Sequence, residues 1–358
     1  MARRTARPAR AAAQLAAVER IERAVAGQRL RAEQCGASRA VAHLAAGRPF
    51  ITAPNPTRPE RLPPMSLSAA VQSAAIASMW RATSQTALLV DATLTEELLR
   101  STSDALPTTV LRRLPYINPL VVFAEPVPSH AVDGRPSQLL GFFVDGAWGT
   151  HDRLDALGSS LEAPIVGAMM VSEVCDGSTV THEIHRLALP VTADRVTITD
   201  LITETIKHIA IHTVDDSEPA AAPTRQCLTH HLQVAVNTLL YLCAEDPDIQ
   251  PIGPTKPKSN RASTNNGKRR SRATEVVHVG WRIGAHLRLL RRRATEAQPG
   301  SNRGGWKHPP RQRKGHWRIV WTGSGRETSK LKWIAPYWIH RDQLGLPTTK
   351  STLVPVKS

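Results

Sequence analysis

Three apolar runs decide the fold class: Asn118–Val127 (NPLVVFAEPV), Ser137–Trp148 (SQLLGFFVDGAW) and Ala163–Val174 (APIVGAMMVSEV). Each is ten to twelve residues long and rich in Val, Phe, Leu or Met. Each is short and set off by proline or polar residues, which reads as a strand. The polar stretch 149–162 (GTHDRLDALGSSLE) joins the second run to the third as a loop. Further on, His231–Ala244 (HLQVAVNTLLYLCA) reads as a buried helix, with Leu232, Val236, Leu239, Leu240 and Cys243 on one face. Glu245-Asp246-Pro247-Asp248 ends it. The pattern predicts an α+β body, a mixed or antiparallel sheet with helices packed on it.

Upstream of the first run, Ala11–Gly27 carries Leu15, Val18, Ile21 and Val25 at helical spacing, with Gly27 as its stop. A second helical piece covers about Ala32–Ala46. The proline-rich stretch 48–64 (RPFITAPNPTRPERLPP) then separates this helical segment from the body. A helix over about Ser68–Arg81, an apolar continuation at Ala87–Val90 and a short helix at Thr93–Ser101 follow, the last capped by Thr93 with Glu96 three residues on. Arg195–Thr199 alternates and either begins a fourth strand or leads into a helix through Ile211.

Downstream, Pro251–Arg272 is rich in Pro, Ser, Asn and basic residues and reads as a flexible linker. Glu275–Trp281 reads as a strand and Arg282–Arg293 as a short basic helix. His316–Thr322 and Lys330–Ile339 alternate on either side of Gly323-Ser324-Gly325, which predicts a β-hairpin. One hairpin face carries Trp317, Ile319, Trp321, Leu331 and Trp333; the other is largely cationic.

Charge follows this organisation. Residues 1–61 hold 12 basic and 4 acidic side chains, residues 62–250 hold 10 and 22, and residues 251–358 hold 24 and 4, within a net charge of +16. Four regions result: a basic helical segment (1–61), an acidic α+β body (62–250), a basic linker (251–272) and a small basic, Trp-rich β region (273–358). Six of the eight tryptophans lie in the last third: Trp281, Trp306, Trp317, Trp321, Trp333 and Trp338. Cations interleaved with flat rings suit a polyanion with stackable bases. Lys and Arg neutralise phosphates, and aromatic faces stack on unpaired bases. Nucleic acid, RNA in preference to DNA, is the expected partner. The candidate contact residues are Arg282, Arg311, Arg313, Lys314, His316, Trp317, Arg318, Trp321, Lys330, Lys332 and Trp333.

Two alternatives stay open for that cluster. Trp317 and Trp321, four apart on one strand face, also suit the core of a small β domain. His308 and His316 also suit a metal-independent acid–base pair for RNA cleavage, because imidazole titrates near neutrality; the non-enzymatic reading is preferred. No cofactor is expected, since the chain has no GxxxxGK[ST], GxGxxG or GxSxG motif. Metal ligation is not favoured. His182, Glu183 and His185 lack HExxH spacing, His208 and His212 share a helical spacing without a carboxylate motif, and His230 and His231 are adjacent. Four cysteines without a CxxC pair fit a reducing compartment. No apolar run approaches the length of a membrane span, and Glu19, Arg20, Glu22 and Arg23 interrupt the N-terminal apolar stretch. A cytoplasmic protein with no membrane contact is expected.

Some of these residues also form familiar patterns. Asn237–Ile249 resembles a recurrent LLYLCSE-x-P-x-I segment. His308, Arg311, Arg313, Gly315, His316, Trp317, Trp321 and Gly323, followed by Lys330, Trp333 and Pro336, fit H-x-x-R-x-R-x-G-H-W-x-x-x-W-x-G and then K-x-x-W-x-x-P. Val279–Gly284 fits as well. Over roughly residues 115–340 the chain resembles a family of proteins carried by phages, plasmids and other mobile elements. That family is similar to a type V-A anti-CRISPR that lowers its target nuclease by acting on the target's transcript during translation. The resemblance implies recognition of a nascent peptide or its mRNA, with loss of the message. A protein-binding inhibitor that uses no nucleic acid is the remaining alternative.

Overall fold

The computed structural model describes residues 6–34, 41–42, 65–103, 106–131, 133–146, 165–191, 196–213, 221–251, 274–296 and 311–339. The chain opens with α1 (Ala6–Gln34), α2 (Met65–Thr83), β1 (Thr86–Val90) and α3 (Ala92–Arg100), then a 3₁₀ turn at Thr108–Arg113. β2 (Leu120–His130), β3 (Pro136–Gly146), β4 (Ile165–Asp176) and β5 (Thr179–Pro190) follow. Next come α4 (Ile198–Thr213), α5 (Ala221–Cys243), β6 (Ile249–Pro251), β7 (Glu275–Val279) and α6 (Trp281–Glu296). The described chain closes with β8 (Arg311–Arg313), β9 (His316–Thr322), β10 (Thr328–Ile334) and β11 (Tyr337–Ile339).

Seven strands form one mixed sheet in the order β5-β4-β3-β2-β1-β7-β6. β1 lies parallel to β2 and to β7; the other pairings are antiparallel. The α+β class is as the sequence predicts. β1 sits in the interior of the sheet and is buried on both faces, which is why Ala87–Val90 reads as a continuous apolar run rather than an alternating one. Leu88 and Val90 face one core, with Val121, Phe123, Leu232, Val236 and Leu239. Ala87 and Leu89 face the other, with Val18, Ile21 and Val25 of α1 and Ile76 and Trp80 of α2. The sheet is thus covered on both sides.

A β-bulge keeps β3 in step with both cores. Leu139 pairs with Ser172 and Gly141 with Val171, so Leu140 is an extra residue. The parity of the strand changes across it: Leu139 and Phe142 face one core, Leu140 and Phe143 the other. Gly141 is required there, because a Cβ would meet the Val121 carbonyl and Ile21.

Several boundaries differ from the sequence reading. α1 continues past Gly27 to Gln34; Val18, Ile21 and Val25 are buried but Leu15 is exposed. The packed stripe outweighs one glycine, which costs about 1 kcal/mol in a helix. Of the second helical piece, residues 41–42 are helical and most of the rest lies outside the described residues. α3 is capped by Asp91 rather than Thr93: the Asp91 carboxylate accepts from the backbone N–H of Thr93 at 3.0 Å and Leu94 at 3.3 Å. Of the two readings of Arg195–Thr199, the helix is found, as α4. β5 has no counterpart in the sequence reading, where Thr181–His185 stands out only as a possible ligand set. β11 also departs from the expected hairpin: β10 ends at Ile334, and Tyr337–Ile339 pairs with β8.

The charge divisions are divisions of surface chemistry, and the sheet runs across them. β6 and β7, on either side of the linker-like stretch, are antiparallel neighbours. Most of that stretch, like residues 149–162, lies outside the described residues. No helix among the described residues is long and apolar enough to cross a membrane.

Candidate nucleic-acid interface

The antiparallel pairing of β9 with β10 fixes what each hairpin face carries. Trp317 lies opposite Trp333, Ile319 opposite Leu331, and Trp321 opposite Ser329. On the other face His316 lies opposite Ile334, Arg318 opposite Lys332, and Val320 opposite Lys330. The turn between the strands uses Gly323 at φ +93°, Gly325 at +88° and Arg326 at +59°. Left-handed backbone of this kind suits glycine, so the Gly-Ser-Gly signal is a real turn signal.

The apolar face docks on the body. Trp317, 8% exposed, belongs to the main core, and Leu331 with it. The Trp317 indole Nε1–H donates to Asn237 Oδ1 on α5 at 3.1 Å. Trp333 donates its Nε1–H to Ser101 Oγ at 3.0 Å and meets Tyr241 edge-on, with ring centroids 5.6 Å apart. Gly315 passes against Ser101 and Trp333 so closely that a Cβ would displace them. Just past α5, the Glu245 N–H donates to the Leu331 carbonyl at 2.7 Å, and the Lys330 ammonium pairs with the Glu245 carboxylate. Trp317 is therefore packed in the core, the alternative left open for it in the sequence, while half-buried Trp333 packs on Tyr241. A buried indole with its N–H satisfied has its rings enclosed by protein. Lys330 likewise serves the hairpin–body joint.

Arg282 is also held locally. Its Nε–H and backbone N–H both go to the Asp248 carboxylate, at 2.7 and 2.6 Å, and Ile283 N–H joins them at 3.0 Å. Asp248, in the loop after α5, thus caps α6. Alongside, the Arg288 guanidinium of α6 donates to both Asp91 oxygens at 2.8 Å and to Thr93 Oγ1 at 2.9 Å. Asp91 is 2% exposed. Gly280, at φ +78°, leaves room for Leu94, and Gly284 leaves room for the Asp91 carboxylate. The segments Asn237–Ile249, Val279–Gly284 and Gly315–Trp333 are thus one interlocked joint.

The remaining candidates face outward. Arg311, Arg313, Lys314, Arg318 and Lys332 are exposed, and none has a carboxylate partner among the described residues. Arg318 and Lys332 stand directly opposite each other in the ladder, where like charges repel. Trp321 is 57% exposed. His316 is half-buried, beside Thr102 in an isolated bridge, and its ring has no hydrogen-bond partner among the described residues. His308 lies outside them, so the proposed acid–base pair cannot be assembled from described atoms.

A separate group centres on buried His231, flanked by half-buried His185 and His230. His231 Nε2 is 3.0 Å from Ser129 Oγ, and its Nδ1 is 3.8 Å from Cys227 Sγ. The rings of His185 and His230 lie 6.2 and 6.4 Å away. Burial, with the neighbouring His185 and His230, holds His231 down to about 3. Burial pushes the Cys227 thiol up to about 12, with Glu183 adding to the shift, so this Cys–His contact holds a neutral thiol and not a nucleophile. No three His, Cys, Asp or Glu side chains among the described residues converge as metal ligands.

Sequence reasoning missed Arg113. Its Nη1–H donates to the Ser329 carbonyl at 2.9 Å and its Nη2–H to Ser329 Oγ at 2.6 Å. The two residues are 216 apart in sequence, and no local pattern signals such a contact.

A mixed sheet sandwiched by helices, with a basic hairpin clamped on by its aromatic face, defines an α+β protein that offers a fixed cationic surface. The chain belongs to the AcrVA2-like family, the anti-CRISPR type V subtype A2 family, whose profile matches residues 88–341. Among solved structures, one titled "Crystal structure of AcrVA2" matches with a TM-score of 0.42 at 14% identity, covering 76% of this chain and 77% of that one. No curated protein matches.

Proposed function

We propose that this anti-CRISPR family member acts on RNA. The cationic face of its hairpin holds the phosphate backbone of a transcript, and the α+β body recognises the protein, as a nascent peptide, that the transcript encodes. The outcome is down-regulation of a nuclease during translation, in the cytoplasm of a cell that carries the gene on a mobile element. The observation that carries the RNA part is the Arg318–Lys332 pair. Two cations face each other across the ladder with no carboxylate to offset them among the described residues. Folding alone disfavours such a pair; an anionic ligand relieves it. Exposed Arg311, Arg313 and Lys314 extend the same charge along the chain.

Arg318→Glu tests this with one substitution. It places a carboxylate opposite Lys332 and turns a repulsive pair into an attractive one. The hairpin should keep its stability or gain about 0.2–1 kcal/mol. RNA affinity should fall, and the slope of log K against log salt should shrink by about 1.4, two phosphate contacts on a single strand. Wild-type affinity and slope in Arg318→Glu would sink the proposal.

A second reading has its own observation. Burial of Trp317 and half-burial of Trp333 leave less ring surface for stacking, which suits docking on an acidic protein surface without RNA. Protein capture that survives nuclease treatment, with no RNA above background, would select that reading.

A further inference from the structure

The hairpin's two faces end in different chemistry, and the uncommitted end of the apolar face is a composite of hairpin and body. Trp321 shares its face with Trp317 but is exposed. Its cross-strand partner Ser329 is held by the Arg113 guanidinium from the 3₁₀ turn. Directly opposed side chains in an antiparallel pair sit about 5 Å apart at Cβ. The guanidinium on Ser329 Oγ is therefore beside the Trp321 ring position. Arg113 spends two of its five N–H donors on Ser329. It has no carboxylate among the described residues. An open indole face beside an uncompensated guanidinium has no packing role to explain it.

We infer that Trp321 with Arg113 is a second contact, a stacking-and-phosphate site for an unpaired nucleotide, which makes the ligand single-stranded RNA. This rests on the RNA reading above. Bases in a duplex are already stacked on both faces, so only an unpaired base can lie on Trp321. Arg318 and Lys332 project from the opposite face of a ribbon one sheet thick. A flexible strand can pass round the turn, where Arg326 is exposed, and reach both faces. A double helix, stiff over tens of nanometres, engages one.

The experiment uses the full chain, an oligouridine of about 20 nucleotides and a blunt RNA duplex of the same length, with fluorescence anisotropy across a salt series. Trp321→Ala should weaken oligouridine binding about 5- to 150-fold without changing the salt slope, because stacking releases no counterions. Trp321→Phe should recover most of the loss. Arg113→Gln should reduce the slope by about 0.7. Duplex binding should be indifferent to Trp321→Ala. If Trp321→Ala binds oligouridine like wild type, or weakens both RNAs equally, while Arg318→Glu still lowers the slope, this inference is overturned and the RNA reading stands. If wild type binds neither RNA in a salt-dependent manner, both fall together.

Discussion

Replacing Asn237 with alanine removes the acceptor of the Trp317 indole N–H. Both residues are nearly inaccessible, 5% and 8% exposed, and the bond is 3.1 Å long. Water therefore has no ready route to replace the lost carbonyl. The cost is the desolvation penalty of an unpaired buried donor, about 1–3 kcal/mol, rather than the smaller net worth of a hydrogen bond. Trp317→Phe should cost a comparable amount for the converse reason, leaving Asn237 Oδ1 without a donor, together with the lost indole packing. Combining Asn237→Ala with Trp317→Phe removes both polar groups at once. The double variant should then be more stable than the sum of its single changes predicts, with a coupling of about 1 kcal/mol or more. Urea unfolding followed by far-UV circular dichroism gives the three free energies, and amide exchange at β9 and β10 locates the loss. If Asn237→Ala lies within about 0.5 kcal/mol of wild type, or the cycle is additive, the hairpin is not held on α5 as described.

Acid should weaken the fold through His231. Its native value near 3 lies below the ordinary 6.5, so the unfolded chain takes up the proton first. The stability is complete above about 6.5 and drains as pH falls toward 3, by at most about 1.4 kcal/mol per pH unit; His231→Gln should flatten that limb of a pH-dependent unfolding series. Arg288→Met should be more damaging than a surface change, since the nearly buried Asp91 carboxylate loses its counter-charge and keeps only its N-cap bonds to Thr93 and Leu94; the expected cost is about 1–3 kcal/mol. Asp91→Asn in the Arg288→Met background should recover part of the lost unfolding free energy, because a neutral amide needs no counter-charge.

The strands β2, β3 and β4, the end of α5 and the hairpin are legible in the sequence because each is a local pattern. Two-residue alternation in His316–Trp321 sorts Trp from Arg correctly, and the ladder register confirms the two faces. Burial is not legible. Trp317 and Trp321 look equivalent in sequence, yet one meets Asn237 on α5 and the other meets solvent. The difference depends on where α5 stops relative to the hairpin. β5 is hidden because Thr181–His185 mixes polar side chains on an exposed to half-buried strand, which weakens the period-2 signal. The true cap of α3 is hidden because Asp91 and Thr93 are both good caps; β1 ending at Val90 decides for Asp91. The family pattern reads in sequence as a binding signature. In the structure much of it is the joint that fixes the hairpin, with Gly315, Trp317, Lys330 and Trp333 on one side and Asn237, Tyr241 and Glu245 on the other. The exposed cations are what that joint presents.

Whether this surface holds a transcript is tested most directly by ultraviolet crosslinking in cells that express a type V-A nuclease, with RNA and protein recovered from the same sample. The nuclease transcript should be enriched with the wild-type chain and lost with Arg318→Glu at equal protein level. Recovery of the nuclease polypeptide after nuclease digestion, with no transcript above background and no change in Arg318→Glu, would contradict the RNA reading.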